Sequence, residues 1–137
     1  MIESVLMSKM IVKIYENVSG LNVGFIGDLG AGKTYFIKNL LKNLNKKFES
    51  QVQSPTFSIC NQYQVGEIIV NHFDLYRLES EEELYQINFY ELLEEKNQIN
   101  FVEWVDNFPS SFSLFDLLIK IEVDDNEERA YNIEKKL

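Results

Sequence analysis

The sequence predicts an α/β fold, a three-layer sandwich around a central, mostly parallel sheet with antiparallel additions. Apolar runs of strand length alternate with segments of helical periodicity, which is typical of layered α/β domains. The run "LNVGFIG" at residues 21–27 stops at a glycine just before a helical pattern, as a buried parallel strand does. Paired strand patterns around turn residues predict the antiparallel additions. A length of 137 residues fits one domain, so we predict a single domain over residues 1–137.

The first half of the chain predicts a helix, a strand and a second helix. Apolar residues recur at helical spacing over residues 3–17, so we expect an amphipathic helix that ends near Ser19-Gly20. The strand at 21–27 follows. After it, one face of a predicted helix is apolar and the opposite face carries lysines; the residues are Phe36, Ile37, Leu40, Leu41, Leu44, Lys38, Lys42 and Lys46.

The second half predicts a hairpin, a helix, a strand and another hairpin. "TFSICNQYQ" and "EIIVNHFDLY" flank Val65-Gly66 as two strands. "SEEELYQINFYELLEE" predicts one helix that begins at Ser80, where Ser80 and Glu83 have the spacing of a capping box. "QINFVEW" at residues 98–104 predicts a strand, and "FDLLIKIEVDDNEERAYNIEKK" predicts two strands around an Asp-Asp-Asn turn.

The composition excludes several classes of protein. The chain has 22 acidic and 13 basic side chains, a net charge of −9, which argues against autonomous binding of DNA or RNA because such binding needs basic side chains against the phosphates. The one cysteine, Cys60, excludes an internal disulfide and is expected to act as a small hydrophobe. No uncharged run has the length of a membrane span and no secretory signal pattern is present, so we expect a cytoplasmic protein.

The segment "GDLGAGKT" has the spacing Gly27-x-x-x-x-Gly32-Lys33-Thr34 of a phosphate-binding loop (P-loop). It follows a predicted strand and opens a predicted helix, which is the context that the chemistry requires. Glycines let successive N–H groups point at phosphate oxygens, Lys33 would reach the β- and γ-phosphates, and the Thr34 hydroxyl would ligate Mg²⁺. An ordinary glycine turn before a helix is the alternative. The phosphate-contacting residues that we predict are Gly27, Asp28, Leu29, Gly30, Ala31, Gly32, Lys33 and Thr34.

Two acidic residues, Asp74 and Glu103, each end an apolar run. In an open α/β sheet the ligand binds at the carboxyl ends of the strands, where a carboxylate can hold Mg²⁺ or its waters, or orient the attacking water. Solvated acids at strand ends are the alternative. "SPTF" presents Thr56 in a proline-stiffened loop suited to sensing a terminal phosphate, although the tetrapeptide alone favours a plain turn. The only histidine, His72, is expected to be a packed or capping side chain, and Trp104 a core or interface residue.

The motifs "GDLGAGKT", "SPTFSICNQY", "HFDLYRL" and "FVEW", in this order and spacing, resemble those of the bacterial TsaE (YjeE) proteins. The resemblance runs from about residue 20 to 105. It implies a single P-loop ATPase domain, with ATP and Mg²⁺ as cofactors. It also implies a role in threonylcarbamoylation of the adenosine next to the anticodon in ANN-decoding tRNAs, together with TsaB and TsaD. Contact with tRNA is then expected to be indirect only, with no membrane or DNA partner.

The resemblance assigns roles residue by residue. Residues 27–34 are implied to hold the phosphates and Mg²⁺, and Thr56 to lie in a switch-like loop. The implied catalytic residues are Glu103, Asp74 and Lys33, and the implied metal ligands are Thr34, Glu103 and Asp74. Which acid ligates the metal and which orients water stays open. The remaining positions that the motifs supply are Tyr76, Arg77 and Trp104.

Three positions depart from the family pattern, one of them Leu92, which stands where relatives usually have a tyrosine. Tyr35 stands where relatives often have a second threonine, and Asn88 stands where they usually have a glycine. Asn tolerates a left-handed backbone best after glycine, so the turn at Asn88 is expected to survive, while the family's partner surface on that helix is in doubt.

The sequence disfavours three functions other than that of an ATPase. A small P-loop kinase is disfavoured because the chain has only the arginines Arg77 and Arg129 and no spare segment for a lid. A GTPase is disfavoured because no Asn-Lys-x-Asp stretch is present to bind guanine. A protein that holds nucleotide only as a structural ligand is disfavoured by the presence of Thr34, Asp74 and Glu103.

Overall fold

A computed structural model of the chain describes residues 3–16, 20–28, 30–44, 59–66, 68–95 and 97–135. Leu29 and the "SPTF" loop with Thr56 lie outside the described residues. Two 3-10 helices, Val105–Asn107 and Pro109–Leu114, join the fourth and fifth strands. The elements are α1 (Glu3–Glu16), β1 (Leu21–Ile26), α2 (Lys33–Leu44), β2 (Cys60–Val65), β3 (Ile68–Asp74), α3 (Glu81–Gln86), α4 (Phe89–Glu94), β4 (Gln98–Glu103), β5 (Leu117–Val123) and β6 (Arg129–Lys135).

The six strands form one sheet in the order β2-β3-β4-β1-β5-β6. The inner strands β3, β4, β1 and β5 are parallel to one another. The edge strands β2 and β6 are antiparallel additions, each the partner of the strand nearest to it in the chain. This arrangement confirms the predicted fold class, including both hairpins.

Helices cover both faces of the sheet. One face carries Val23, Phe25, Phe101 and Ile119, which pack with buried residues of α1 and α2 such as Phe36. The opposite face carries Phe73, Val102 and Leu118, which pack with α3, α4 and the 3-10 segments. Each inner strand therefore has two buried faces, which explains why its sequence is an apolar run and not an alternating pattern. In the part of the chain that is described, no helix has the length and apolar character of a membrane span.

The prediction of one helix beginning at Ser80 is wrong, because two six-residue helices, α3 and α4, occupy this segment. The chain breaks between them at Asn88, whose backbone is left-handed with φ 57° and ψ 33°. The left-handed turn expected at Asn88 is thereby confirmed. The predicted capping box at the start of α3 is also present, with the Ser80 N–H donating to the Glu83 carboxylate at 3.2 Å.

A row of amide side chains crosses the α3/α4 face of the sheet. Gln62, Asn71, Asn100 and Asn22 are register partners on β2, β3, β4 and β1. Their amides are linked in sequence by hydrogen bonds of 2.7, 2.8 and 2.8 Å. Asn71 and Asn100 are fully buried. We call these four residues the amide row; it fixes the alignment of strands whose ends carry the candidate site.

Candidate functional site

The glycine-rich loop joins β1 to α2 at the carboxyl edge of the sheet. Gly30 and Gly32 have φ of 82° and 105°, a conformation that a side chain disfavours. The Ala31 N–H donates to the Asp28 carbonyl at 3.0 Å, and the first helical bond runs from the Phe36 N–H to the Gly32 carbonyl at 2.9 Å. The loop therefore places the first, unpaired N–H groups of α2 at its mouth, which is the arrangement that binds anions.

Lys33 folds back over the loop. Its Nζ donates to the carbonyls of Gly27 at 2.5 Å and Asp28 at 3.1 Å. The same Nζ lies 4.1 Å from the ring centroid of Trp104, within the range of a cation–π interaction. Burial lowers the pKa of Lys33, and the nearby Glu103, Asp106, Asp74 and Asp28 act in the opposite direction. A buried ammonium group at this position is well placed to bind a second anionic group, next to one bound by the N–H groups of the loop.

Glu103 ends β4 and contacts both α2 and β3. The Thr34 hydroxyl shares its one hydrogen between the two carboxylate oxygens, with O–O distances of 2.8 and 2.9 Å. On the other side, His72 Nε2 lies 2.5 Å from Glu103 Oε2. Glu103 is only 3% exposed and His72 is fully buried. The carboxylate is therefore held in one orientation by a hydroxyl from the phosphate loop and an imidazole from the neighbouring strand.

Asp74 is the register partner of Glu103, at the end of the adjacent strand β3. Its carboxylate accepts the Tyr76 N–H at 3.0 Å, which turns the chain away from the sheet. Both acids border the same cavity as Lys33 and Thr34. The expectation that the two strand-end acids lie side by side next to the loop matches this geometry, while their chemical roles stay predictions.

The cavity over the loop has a volume of about 320 Å³, and Arg129 and Tyr35 close its opposite side. Arg129 begins β6, and its guanidinium Cζ lies 4.9 Å from the Tyr35 ring centroid. A second cavity, of about 570 Å³, lies on the β5 side of the loop. The charged side chains of that second cavity are Asp28, Asp106, Glu122 and Lys120, a set with net negative charge. A polyanion is better suited to the smaller cavity, where Lys33 and Arg129 supply positive charge.

The donor set fits a hard cation that a phosphate ligand would share. Among the described residues no group of three or more His, Cys, Asp or Glu side chains is arranged to hold a metal alone. The Thr34 hydroxyl and the carboxylates of Glu103 and Asp74 are oxygen ligands. Mg²⁺ is commonly held by one or two carboxylates together with substrate phosphates, so these residues suit it better than they suit Zn²⁺.

Several functional contacts were missed at the sequence level. His72 is packed, as predicted, but it also contacts Glu103, thirty-one positions away. The "H-x-D" spacing offered a signal, because it puts His72 on the same sheet face as Asp74. Arg129 had no such signal, since it reaches the site only through the terminal hairpin. Trp104 is half-buried, and its ring contacts the Lys33 ammonium group. Its ring centroid lies 4.8 Å from that of Tyr76. Arg77 is exposed. Burial raises the pKa of the Cys60 thiol to about 12, in keeping with an inert small hydrophobe.

A strand, a glycine-rich loop that opens a helix, and an acidic strand end beside the helix's threonine together define a P-loop fold. A structure search agrees, because the crystal structure of YdiB from Bacillus subtilis superposes with a TM-score of 0.62 over 97% of this chain and 80% of that one. Its sequence identity is only 21%, so this likeness concerns the fold alone.

The family follows from sequence comparison. The family model described as threonylcarbamoyl adenosine biosynthesis protein TsaE matches residues 4–133. The proteins of Rickettsia prowazekii and Aquifex aeolicus named tRNA threonylcarbamoyladenosine biosynthesis protein TsaE are 32% and 36% identical over 110 residues. In both, the match covers 80% of this chain and 74% of the relative. The chain therefore belongs to the TsaE family.

Proposed function

We propose that this protein binds and slowly hydrolyses ATP with Mg²⁺ as an accessory factor in tRNA threonylcarbamoylation. It acts as a nucleotide-gated partner of TsaB and TsaD homologues and contacts tRNA only through them. Family membership and the names of its relatives support the pathway. The observation that carries the nucleotide chemistry is the Thr34–Glu103 hydrogen bond at the base of the phosphate loop.

Lys33 and the N–H groups of the loop bind the phosphates. In the described structure Lys33 satisfies its donors with loop carbonyls, and phosphate oxygens are stronger acceptors for the same donors. The phosphates also supply the negative charge that favours the protonated lysine against the cost of burial. Exchange of carbonyls for phosphates moves the ammonium group off Trp104, the only tryptophan in the chain, so its fluorescence reports binding.

Glu103 and Asp74 divide the work of holding the metal and positioning water. Thr34 and Glu103 would hold Mg²⁺, which would supply positive charge next to the transferred phosphoryl group. Glu103 is fixed by His72 and Thr34, so it is the metal-side carboxylate. Asp74, one strand further, is the second acid, which orients the attacking water.

Nucleotide gating has a structural basis in the neighbours of the two acids. Asp74 accepts the Tyr76 N–H, and the Tyr76 ring stacks near Trp104, which in turn lies on Lys33. A change at Lys33 is therefore transmitted to exposed aromatic groups that follow β3 and β4. We place the surface that TsaB and TsaD homologues contact at this edge of the sheet, as in other γ-phosphate-dependent switches.

Two substitutions test the nucleotide chemistry. Lys33→Ala should abolish ATP binding in calorimetry, because the loop loses its ammonium donor, whereas Lys38→Ala on the same helix should bind normally. Glu103→Ala should bind ATP but lose turnover, measured as phosphate release with and without TsaB and TsaD homologues. Normal turnover by Glu103→Ala would show that the assigned role is wrong.

The pathway is tested by reconstitution. Threonylcarbamoylation of an ANN-decoding tRNA should be measured with TsaB and TsaD homologues and the enzyme that makes threonylcarbamoyl-adenylate. Addition of the wild-type chain should raise the number of tRNA molecules modified, and Lys33→Ala should not. Equal yield with and without the chain would contradict the accessory role, whereas transfer of phosphate to a metabolite faster than hydrolysis would favour a kinase.

A further inference from the structure

The positively charged guanidinium of Arg129 lies over the phosphate loop, although Arg129 is 95 residues beyond Thr34 in the sequence. It is the first residue of β6 and the register partner of Val123, the last residue of β5. The antiparallel pairing therefore returns the start of β6 to the carboxyl edge of the sheet, where β1 ends in the loop. The hairpin explains how one of only two arginines in the chain comes to the site.

The guanidinium of Arg129 occupies the space directly above Gly32. A Cβ atom added to Gly32 would lie 2.7 Å from Arg129 Nε and 3.0 Å from Cζ. Gly32 thus leaves room for the arginine in addition to adopting a positive φ. The Tyr35 ring, 4.9 Å from Cζ, supports the guanidinium from the side of α2. The Tyr35 ring therefore positions Arg129.

The position of Arg129 relative to the two acids determines which phosphates of the nucleotide the guanidinium can contact. Asp74 and Glu103 end β3 and β4, on one side of β1, while β5 and β6 lie on the other side. Lys33, Thr34 and the metal belong with the β- and γ-phosphates. Arg129 reaches Gly32 and Tyr35 from the β6 side of the loop, whereas the acids reach the same cavity from β3 and β4, so the guanidinium faces the phosphates nearer to the nucleoside.

We propose that Arg129 binds the α- and β-phosphates of the bound nucleotide and that Tyr35 holds its guanidinium in place for this contact. The proposal rests on the nucleotide binding proposed above and adds a second phosphate-binding cation to Lys33. A planar guanidinium can donate to two phosphate oxygens at once, which an ammonium group cannot. Lys33, Arg129 and one Mg²⁺ would together offset most of the negative charge of the polyphosphate and of the two acids.

Calorimetry with ATP, ADP and inorganic pyrophosphate tests the proposal. Arg129→Ala should weaken binding of all three probes by a similar factor, of about 10-fold, because all three offer a diphosphate. The affinities of Arg129→Lys should lie between those of Arg129→Ala and wild type, because lysine keeps the charge but cannot donate to two phosphate oxygens from one planar group. Tyr35→Thr should weaken binding by about 2- to 5-fold, because it removes the ring and keeps the arginine. Lys9→Ala, which removes an exposed positive charge on α1, should bind like wild type.

Each other outcome contradicts a named part of the proposal. If only ATP binding is weakened, Arg129 contacts the terminal phosphate. If ATP and ADP are affected but pyrophosphate is not, it contacts the nucleoside. Wild-type affinities in Arg129→Ala overturn the contact altogether while the proposed function stands. If the wild-type chain itself binds none of the probes, the proposed function fails first. Unfolding temperatures of all variants should stay close to wild type, since Arg129 and Tyr35 are exposed, and a drop in Arg129→Ala alone would indicate a structural role.

Discussion

Glu103 shows how three distant parts of the sequence make one functional group. Its carboxylate accepts hydrogen bonds from a hydroxyl of the phosphate loop and from an imidazole of β3. It lies at the end of β4, a strand that is buried on both faces. An isolated carboxylate is costly to bury, and these two donors offset that cost. Because both oxygens are engaged, rotation of the carboxylate is restricted before any ligand binds, which lowers the entropy lost when a metal is held.

His72 is therefore expected to act as a positioning residue for Glu103. His72→Phe keeps the buried volume and removes the donor. Under the proposed function, turnover should fall by about 10- to 100-fold and the Mg²⁺ concentration needed for half-maximal activity should rise. ATP binding without metal should change little, because Lys33 and the loop are untouched. Phosphate release as a function of Mg²⁺ concentration measures both effects.

A second variant separates positioning from packing. His72→Gln retains an N–H donor and should recover part of the turnover that His72→Phe loses. Equal loss in both variants, together with an unchanged Mg²⁺ requirement, would show that His72 supports the core and does not orient the carboxylate. A thermal unfolding scan of each variant gives the packing contribution independently.

Residues at this scale could be predicted only where chain connectivity places them. The loop residues are adjacent in sequence, and Asp74 and Glu103 end apolar runs, so parallel pairing brings both to one edge. The His72–Glu103 contact depends on register, and the Arg129–Tyr35 contact depends on where the last hairpin folds. A single sequence does not specify either quantity, because many registers would bury the same apolar residues.

At the scale of elements, the amide row specifies the register that apolar pairing leaves open. A shift of two residues towards the carboxyl end of β4 would keep Asn71 on the same face but would set it beside Val102 in place of Asn100. Three positions after Asn71 and Asn100 come Asp74 and Glu103, so the same register sets the two acids side by side. The row therefore links the packing of the α3/α4 face to the geometry of the site on the opposite face.

Asn100 is the member of the amide row whose loss should cost most. Its side chain donates to Asn22 at 2.8 Å and to the Leu92 carbonyl at 3.2 Å, and accepts from Asn71 at 2.8 Å. Asn100→Leu should lower the free energy of unfolding by about 3 kcal/mol, because it removes three hydrogen bonds at a fully buried position and the Asn22 amide oxygen loses its donor. Urea unfolding followed by circular dichroism measures the change.

The exposed end of the same row provides the control. Gln62 is exposed on the edge strand β2 and makes a single hydrogen bond in the row, its donation to Asn71, so Gln62→Leu should cost less, about 1 kcal/mol. Equal destabilisation by the two variants would mean that the row contributes through local strand propensity and not through buried hydrogen bonds.

The type and order of the helices and strands could be predicted from the sequence, but the break within the helix predicted from Ser80 could not. Helical periodicity persists through residues 81–94, yet the backbone turns at Asn88 and divides the segment into α3 and α4. The two short helices pack Leu84, Phe89 and Leu93 against the sheet, which one straight helix of that length would not do from this starting point. Tertiary packing here overrides local propensity.

At the scale of the whole molecule, connectivity explains why one edge of the sheet collects the chemistry. Parallel strands β1, β3, β4 and β5 all end at that edge, and the antiparallel β6 begins there. The loop, both acids and Arg129 are therefore gathered by strand direction alone. The sequence predicted the parallel core from its apolar runs and the loop from its spacing, but the strand order appears only in the structure.

The net charge of −9 leads to a prediction about tRNA. Acidic residues outnumber basic ones by 22 to 13, and exposed carboxylates lead α3, where Glu79, Glu81 and Glu82 are exposed. A nucleic-acid surface gains affinity by releasing counterions from phosphates, which requires clustered basic side chains. The positive charges of the candidate site, Lys33 and Arg129, line a cavity that is suited to a nucleotide and not to a duplex.

The isolated chain should therefore show no saturable binding to a fluorescently labelled ANN-decoding tRNA at about 0.15 M salt, even at tens of micromolar, in anisotropy measurements. Addition of TsaB and TsaD homologues to the same sample provides the positive control, because under the proposed function they contact the tRNA. Saturable binding by the isolated chain, weakened by Arg129→Ala, would instead show that the site accepts RNA phosphates directly, and the accessory role would need to be replaced by one of direct tRNA recognition.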